Sequence, residues 1–381
     1  MKFLHTSDLH IGKTVHEFSM LEEQRHVLKQ IIEIAINENV DVVVIAGDIY
    51  DRPIPSTEAV NMLDNFLTDM IAEKIKIILI SGNHDSPERV GFADRILEKQ
   101  GLYIGGTIEG ELKKVTFEDS YGKVNFVLLP FVKPAVVGVR SSKEAVDIIL
   151  ENNGYKNISS KKDERNILVT HFFVTGSKGE TPELSDSETT INVGGLEQVS
   201  ADSFSDYDYV ALGHIHKPQR IGDSNCYYSG SPLKYSFSEC NQTKCVNIVT
   251  VEKEISVKQV PITPIHNMRK IKGKLEELIK PEIVNDDHYD DYINAILTDE
   301  EELIDPIGTL RSVYPNVMKI QLQKNEIGND MIYEVNHNVQ GKTIMELFKE
   351  FYELVKEKPL DEKREHILRD SLIKAGREDV L

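Results

Sequence analysis

Polar side chains suited to metal binding follow a series of short apolar runs in this sequence. The apolar runs, such as Val42–Ile45, predict buried β-strands, and glycine turns such as Gly47 and Gly82 follow several of them. In open α/β sheets, ligands bind at the carboxyl ends of the strands, so we expect these polar side chains to meet there. The candidate metal ligands are Asp8, His10, Asp48, Asn83, His171, His214 and His216.

The composition of this set predicts two cations. It offers two carboxylates, one amide oxygen and four imidazoles, whereas one cation needs about four to six ligands. The set fits two cations if one carboxylate bridges them, and Asp48 is the predicted bridge. Mixed oxygen and imidazole ligands without thiolates favour Mn²⁺, Fe or Zn²⁺ over Ca²⁺ or Mg²⁺. Two metals about 3.5–4 Å apart are suited to the hydrolysis of phosphate esters.

Two residues beside Asn83 have the chemistry of acid–base catalysis. His84 follows a candidate ligand directly, so we expect its imidazole to face the substrate, where it would stabilise the phosphorane or protonate the leaving oxygen. Asp85 is expected to orient His84 or a neighbouring backbone group. Taken alone, an Asn-His-Asp turn is as often a structural turn that bonds to its own backbone. The repetition of polar residues at five strand ends favours the metal centre.

The elements that must position these residues alternate between strands and helices. This alternation predicts parallel strands joined by right-handed crossovers, and the later strands predict a second sheet packed face to face with the first between helices. The predicted elements are strand Lys2–Thr6, helix Glu22–Asn39, strand Asp41–Ala46, a helix capped by Ser56 and running to Ala72, strand Ile77–Ile80, a further helix through Ala93, Ile96 and Leu97, and strands near Val124–Leu129, Asn166–Thr170, Asp208–Leu212, Cys245–Val251 and Ile255–Val260.

Composition excludes several other classes of protein. The start is too short and too polar for a signal peptide, and no apolar run reaches the roughly 20 residues of a membrane span. The sequence has three cysteines without zinc-type spacing, so we expect a cytoplasmic protein without structural disulfides. A net charge of −19 argues against non-specific nucleic-acid binding by the whole surface but allows a local basic groove. The candidate DNA contacts are Arg52, Arg89, Lys178 and Lys217.

Taken together, the motifs resemble the calcineurin-like metallophosphoesterase family. The matching motifs cover about residues 1–260 and are, in order, Asp8-x-His10, Gly47-Asp48, Gly82-Asn83-His84-Asp85, His171 and Gly213-His214-x-His216. The longer sequence segments around these motifs are similar to the SbcD family, whose members are nuclease subunits of bacterial SbcC–SbcD complexes. The segments that carry this closer similarity are His5–Gly12, Ala46–Asp51, Ala211–His216 and Tyr228–Pro232.

The resemblance implies a two-sheet metallophosphoesterase sandwich and a nuclease. The activity it implies is exonuclease and endonuclease cleavage at double-stranded DNA ends and hairpins, with Mn²⁺ favoured. It also implies a homodimer and an SbcC-type ATPase partner that gates access of DNA. By the same resemblance, one metal is held by Asp8, His10, Asp48 and His216, and the other by Asp48, Asn83, His171 and His214. Members outside bacteria commonly carry a histidine where this chain has Asp51, which we count as a candidate catalytic residue.

Two other functions compete with the nuclease. The turn Gly47–Arg52 is also similar to the Gly-Asp-x-x-Asp-Arg turn of protein serine/threonine phosphatases. Those enzymes have Gly-Asp-x-His-Gly first and Gly-Asn-His-Glu later, whereas this chain has Asp8-Leu9-His10-Ile11-Gly12 and Asp85. Hydrolysis of a smaller phosphate ester is therefore the alternative. A non-catalytic scaffold is the third interpretation, and the full ligand set argues against it.

The C-terminal part of the chain changes character after residue 260. We predict a nuclease domain at 1–260, a small α/β capping domain at 261–335, and a linker with a helical partner-binding tail at 336–381. The stretch Asp286–Asp305 is acidic and would repel phosphate. An apolar stripe in the tail predicts a helix that packs on its own domain or on a partner. No Gly-x-x-x-x-Gly-Lys-Ser/Thr motif occurs, so any ATP dependence must come from another subunit.

Overall fold

The structure is a computed structural model of the 381-residue chain. It describes residues 1–108, 111–156, 158, 164–188, 196–284, 288–301, 303–326 and 329–334, together with 345, 348, 349, 352, 353, 360, 361, 364, 365, 368 and 369. Among the helices in these ranges, none combines the length and apolar character needed to cross a bilayer. All three cysteines are free thiols.

Strands dominate the described part of the chain, and the helices lie between them in sequence. The strands are β1 (Lys2–Thr6), β2 (Thr14–Val15), β3 (Phe18–Ser19), β4 (Val42–Ala46), β5 (Lys76–Ile80), β6 (Leu102–Gly105), β7 (Lys113–Asp119), β8 (Gly122–Leu129), β9 (Glu164–His171), β10 (Phe173–Thr175), β11 (Gln198–Ser200), β12 (Tyr209–Gly213), β13 (Gln219–Arg220), β14 (Cys226–Tyr228), β15 (Cys245–Val251), β16 (Ile255–Pro261), β17 (Met268–Gly273), β18 (Tyr292–Leu297), β19 (Val317–Glu326) and β20 (Asn329–Glu334). The helices are α1 (Leu21–Asn37), α2 (Thr57–Ala72), α3 (Pro87–Val90), α4 (Asp94–Leu97), α5 (Pro134–Val137), α6 (Ser142–Asn152), α7 (Leu275–Leu278), α8 (Pro281–Val284) and α9 (Pro306–Arg311).

The first large sheet has the strand order β16-β15-β1-β4-β5-β6. Strands β1, β4, β5 and β6 run parallel, as the alternation of strands and helices predicts. Both faces of β4 are buried, which explains its continuous apolar run. Helices α1 and α2 cover the outer face, and the predicted cap of α2 is confirmed because the Ser56 hydroxyl accepts the Ala59 N–H at 3.2 Å.

The second large sheet has the order β13-β14-β12-β9-β8-β7 and packs against the first. The core between them includes Val44 and Ile78 from one sheet and Ile167 from the other. Phe3 contacts the rings of Phe126 and Tyr209 edge to face, at centroid distances of 5.4 and 5.5 Å. The predicted face-to-face sandwich is therefore confirmed.

A four-stranded sheet, β17-β18-β19-β20, follows the sandwich in sequence. Helices α7 and α9 pack on one side of it around buried residues such as Leu278 and Leu310. On the other side, Met268 and Tyr292 join the core cluster that contains α1, and Tyr292 contacts the ring of Phe18. We call β17–β20 with α7–α9 the capping sheet. The sheet begins just after the predicted boundary at 260, although the division into domains stays a prediction.

Two stretches, after Asp85 and after Thr170, differ from the sequence-based prediction, and a third lies almost entirely outside the residues that the structure describes. The single helix predicted after Asp85 is wrong: it is divided into α3 and α4 by Ala93, whose φ of 62° lies outside the helical range. The sequence predicts no element between Thr170 and Asp208, but Phe173–Thr175 forms strand β10, which pairs with β11. Apart from scattered positions, the predicted linker and tail at 336–381 lie outside the described residues.

Candidate metal centre

The candidate ligands converge where the strands of both large sheets end. Groups of side chains lie with their potential ligand atoms within 4.8 Å of one another: Asp8, His10 and His216; Asp8, Asp48 and His171; and His10 and Asp48 with His84, which the sequence does not predict as a ligand. Asn83 joins them because its Oδ1 lies 3.0 Å from His171 Nε2 and 3.0 Å from His214 Nδ1. The structure thus brings together all seven residues that the sequence predicts as ligands.

The backbone at these strand ends is left-handed at four of the candidate ligands. The φ angles are 53° at Asp8, 45° at His10, 50° at Asp48 and 98° at His214. Non-glycine residues seldom adopt such angles, and they persist where surrounding contacts fix them. Here the Asp8 and His10 amides donate to the carbonyls of Gly47 and Asp48, both at 3.0 Å. Backbone hydrogen bonds between the loop after β1 and the loop after β4 therefore stabilise the strained conformation.

Two glycines next to candidate ligands leave no room for a side chain. A Cβ on Gly82 would collide with the carboxylate and amide of Asp48. A Cβ on Gly213 would collide with the carbonyl oxygen of Ala46 and the ring of His171. These glycines allow the strand ends to approach closely enough for their side chains to share cations.

Asp48 lies between the two groups of imidazoles. Its Oδ2 is 3.4 Å from His171 Nε2 and 3.7 Å from His10 Nε2, while its Oδ1 accepts the backbone N–H of His84 at 2.9 Å. One carboxylate oxygen therefore faces imidazoles that the family resemblance assigns to different metals. This is the arrangement expected of a bridging ligand.

We call Asn83, His171 and His214 the Asn83 half of the centre. His171 Nδ1 donates to the Ala46 carbonyl at 2.8 Å, which leaves Nε2 as the ligand atom. His171 and Gly213 are register partners at the ends of β9 and β12. Regular sheet pairing thus sets the position of His171 and, through Gly213, the strand end that leads into His214.

We call Asp8, His10 and His216 the His216 half. The Nε2 atoms of His10 and His216 lie 3.1 Å apart and point at each other. His216 Nδ1 lies 2.9 Å from the hydroxyl of Ser187, which donates to Glu239 at 2.6 Å. Both Asp8 oxygens accept the backbone N–H of His214, at 2.9 and 3.2 Å. Side chains distant in sequence orient this half.

The buried groups of the centre are electrostatically coupled. Burial lowers the pKa of His10, and burial together with His171 lowers the pKa of His214 to about 3. Burial opposes the ionisation of Asp48, but His171 outweighs it and holds the pKa of this carboxyl well below its usual value. In turn, burial opposes the charging of His171, but Asp48 outweighs it and raises the pKa of this imidazole to about 9. Neutral imidazoles and ionised carboxylates are the metal-binding forms, so a cation bound at His171 would displace a proton. The donor set of two carboxylates, one amide oxygen and four imidazoles fits two divalent cations.

The candidate catalytic residues around the ligands are His84, Asp85 and Asp51. His84 is half-buried, and its Nδ1 lies 3.1 Å from the Asp51 carbonyl. With Nδ1 engaged by this carbonyl, Nε2 is the ring nitrogen available to the centre. The ring meets His10 edge to face at 4.9 Å.

Asp85 bonds to backbone groups. Its carboxylate accepts the N–H groups of Ile49, Tyr50 and Gly82 at 3.1, 2.9 and 2.9 Å. Burial, aided by the Asp48 charge, raises the pKa of Asp85 to about 6. Of the two roles predicted for Asp85, these contacts support the orientation of neighbouring backbone, and they join the Asp48 loop to the Asn83 loop.

Asp51 lies behind His10. Its Oδ1 accepts the Lys13 ammonium at 2.7 Å and lies 3.8 Å from His10 Nδ1, a buried atom without a hydrogen-bond partner among the described residues. At 3.8 Å the two groups do not share a hydrogen bond, so the Asp51 carboxylate is bonded to Lys13 and not to this imidazole.

The candidate DNA contacts differ in their surroundings. The Arg52 side chain is 80% exposed and its Nε lies 3.7 Å from Asp51. The Lys217 side chain is 31% exposed and its ammonium contacts the Glu183 carboxylate. Arg89 lies in α3 after the Asn83 loop, and Lys178 lies beyond β10 in an exposed turn.

Sequence reasoning missed the residues that hold His10 and His216 from behind. The Tyr235 hydroxyl donates to the Leu9 carbonyl at 2.6 Å, and Gln24 donates to the His10 carbonyl at 2.7 Å. Glu239 is fully buried; burial opposes its ionisation, but His216 and Lys244 outweigh this and lower its pKa. These residues lie in irregular stretches or on a helix face, without a motif that could have revealed them.

Comparison with known proteins agrees with this geometry. Residues 1–218 match the family model described as calcineurin-like phosphoesterase, and residues 264–356 match a model described as type 5 capsule protein repressor C-terminal domain. The SbcD subunit of the SbcCD nuclease from Staphylococcus epidermidis is 34% identical over 327 residues, covering 84% of this chain and 85% of that protein. The corresponding protein of Staphylococcus saprophyticus is 32% identical over 360 residues, covering 91% and 92%.

A dimetal phosphatase structure from Danio rerio aligns with 69% of this chain and 98% of its own at 14% identity and a TM-score of 0.39, which is too distant to carry an argument. The calcineurin-like model covers more than half of the chain, and both staphylococcal relatives match over most of its length. This chain therefore belongs to the calcineurin-like phosphoesterases and, within them, to the SbcD family of SbcCD nuclease subunits.

Proposed function

We propose that the protein is a two-metal DNA nuclease, cleaving double-stranded ends as an exonuclease and hairpins or single strands as an endonuclease. The observation that carries the proposal is the position of Asp48, with one carboxylate oxygen 3.4 Å from His171 Nε2 and 3.7 Å from His10 Nε2. That geometry suits a bridge between two cations. The mixture of imidazole, carboxylate and amide ligands favours Mn²⁺, Fe or Zn²⁺, and among these we propose Mn²⁺ because the family resemblance implies it.

The residues of the proposed metal centre would have separate roles in hydrolysis. Two bound cations would supply Lewis-acid activation of water and neutralisation of phosphoryl charge. Asp48 would be shared, with Asp8, His10 and His216 completing one site and Asn83, His171 and His214 the other. His84, held through Asp51, would stabilise negative charge on the phosphorane or donate a proton to the leaving oxygen. Asp85 would fix the loops that carry Asp48 and Asn83.

The proposed partners follow from the family. The two staphylococcal relatives are named as SbcD components of SbcCD nucleases, so we propose an SbcC-type ATPase as the partner. We also propose a homodimer, with α2 and the segment after Asp85 as candidate interfaces, and a cytoplasmic location, in keeping with the free cysteines. In the described turn and helix near the centre, Arg52 and Arg89 are candidate contacts to DNA phosphates.

The test is a comparison of substrates for the purified chain with Mn²⁺ added. We expect cleavage of a DNA hairpin and of double-stranded ends at rates well above hydrolysis of para-nitrophenyl phosphate. A chelator should abolish the cleavage, and added Mn²⁺ should restore it. A strong preference for the aryl phosphate would instead favour the phosphatase alternative, and inactivity on both substrates with metal bound would favour the scaffold.

A further inference from the structure

A buried series of polar contacts leads from His216 toward the capping sheet. It passes through the segment Ser231–Lys244, which connects β14 to β15 and lies beside the root of β17. We call this the connecting segment. The structure describes every one of its residues, and they form a single 3₁₀ turn, Phe237–Glu239, with no other regular strand or helix.

Two residues of the connecting segment, Glu239 and Lys244, hold His216 at two points. The carboxylate of Glu239 is 2.6 Å from the Lys244 ammonium, and both side chains are buried, at 0% and 4% exposure. Ser187 bonds to both Glu239 and His216 Nδ1, so the carboxylate reaches the imidazole through one hydroxyl. Lys244 Nζ donates to the His216 carbonyl at 2.8 Å. One ion pair therefore fixes both the ring and the backbone of this candidate ligand.

The physical consequence concerns the orientation of the ring. A ligating imidazole keeps its geometry through the partner of its other nitrogen, and loss of such a partner typically lowers metal affinity by about 10–100-fold. Ser187 and Glu239 are that partner here. Glu239 is buried and paired with Lys244. If its backbone shifts, either Ser187, Lys244 and His216 move with it, or its contacts with Ser187 and Lys244 break.

Another residue of the connecting segment, Lys234, is bonded to the residue that precedes the capping sheet. The Lys234 ammonium donates to the carbonyl of Cys240, the residue after Glu239, at 2.6 Å, and to Asn267 Oδ1 at 2.8 Å. Asn267 immediately precedes β17, and its N–H donates to Asp291 at 2.7 Å. Lys234 thus links the backbone beside Glu239 to the residue at the start of the capping sheet.

The polypeptide before Asn267 is held on α1. Gln30 bonds to the N–H and carbonyl of Thr263, and Glu23 accepts the N–H groups of Ile265 and His266. Between the connecting segment and this anchored stretch lies a cavity of about 340 Å³, lined by Lys234, Cys240, Lys244, His266 and Tyr292 among others. Lys234 spans from the connecting segment to Asn267 beside this cavity, so a displacement at the start of the capping sheet would be transmitted to the backbone at Cys240.

We propose that Glu239 is a positioning residue for His216 and that the connecting segment couples the capping sheet to the His216 half of the metal centre. This inference rests on the proposed metal-dependent function. Through these contacts, a displacement of the capping sheet changes the hold on His216 and so changes metal affinity at one of the two sites.

The test measures Mn²⁺ binding to the full chain by isothermal titration and by the electron paramagnetic resonance of bound Mn²⁺. We expect Glu239→Gln to weaken one of two sites by about 10–100-fold and leave the other unchanged. Ser187→Ala should weaken the same site by less, and Lys234→Met by about threefold or more. The matched controls are Glu252→Gln and Lys272→Met, which change exposed side chains and should bind as the unaltered chain does.

A double-mutant cycle tests the coupling itself. If Lys234 acts through Glu239, the loss of affinity in the combined variant is smaller than the sum of the two single losses. Melting curves without metal report whether each variant folds, and Ser187→Ala carries the test if Glu239→Gln does not fold. Unchanged affinity in folded Glu239→Gln overturns the positioning role, and additive losses overturn the coupling. Absence of Mn²⁺ binding by the unaltered chain would instead overturn the proposed function.

Discussion

The two halves of the metal centre are held by different kinds of structure. In the Asn83 half, His171 is the last residue of β9, is a register partner of Gly213, and bonds to a backbone carbonyl. In the His216 half, the orienting groups are the side chains of Ser187, Glu239 and Lys244, which come from irregular segments. Sheet register is fixed cooperatively by many bonds, whereas a side-chain network depends on each member. The His216 half is therefore the half that a neighbouring element can adjust.

The largest effect is expected where the halves meet. Asp48→Asn removes the carboxylate that faces both groups of imidazoles, so both metals should be lost together with hydrolysis. Elemental analysis of the purified variant measures this, with Asp64→Asn, an exposed carboxylate on α2, as the control. About one tightly held metal per chain would show that Asp48 serves one half alone.

The next effect concerns the residue on the substrate side of both halves. His84→Gln should lower hydrolysis by about 10²–10⁴-fold while metals and DNA affinity are retained, because a catalytic acid acts on the transition state. Single-turnover cleavage, metal content and DNA binding are measured together, and His288→Gln in an exposed turn is the control. The His84 ring lies close to His10 and Asp48. If the His84→Gln variant lost the metals, His84 would be a metal ligand and not a catalytic acid.

A glycine substitution tests whether backbone packing holds the Asn83 half. Gly213→Ala would drive a Cβ into the Ala46 carbonyl and the His171 ring, and we expect it to lower the free energy of unfolding by about 1–3 kcal/mol or more. Thermal melting measures the change. Gly273→Ala, whose Cβ would meet Leu278 at an ordinary 3.4 Å, is the control. Equal melting temperatures for the two variants would mean that the strand ends relax freely.

The smallest expected effect compares two basic side chains near the centre. Arg52 is 80% exposed, so Arg52→Gln should reduce the slope of log affinity for DNA against log salt by about 1. Lys217→Gln should change it less, because Glu183 already neutralises that ammonium. Fluorescence anisotropy over a series of salt concentrations measures both. A larger effect at Lys217 would place the DNA path nearer to Lys217 than to Arg52.

The sequence by itself determined the frame of the site and the family. Continuous apolar runs located β4 and β5 to within a residue, because strands buried on both faces have few alternatives, and the predicted strand Lys2–Thr6 coincides with β1. Motif spacing at the strand ends was sufficient to choose the seven candidate ligands, since parallel strands bring their carboxyl ends to one edge. The roles of these residues as ligands stay predictions until metal binding is measured.

The tertiary structure alone decided how those ligands are oriented. The left-handed backbone at Asp8 and Asp48 follows from bonds between loops that are about 40 residues apart in sequence, and local residue preferences do not encode it. Glu239 has no motif and no periodic neighbour, and it reaches His216 only because the connecting segment folds back beneath the strand ends. Local sequence specifies which side chains a strand presents, whereas the partners of a buried charge are set by long-range packing.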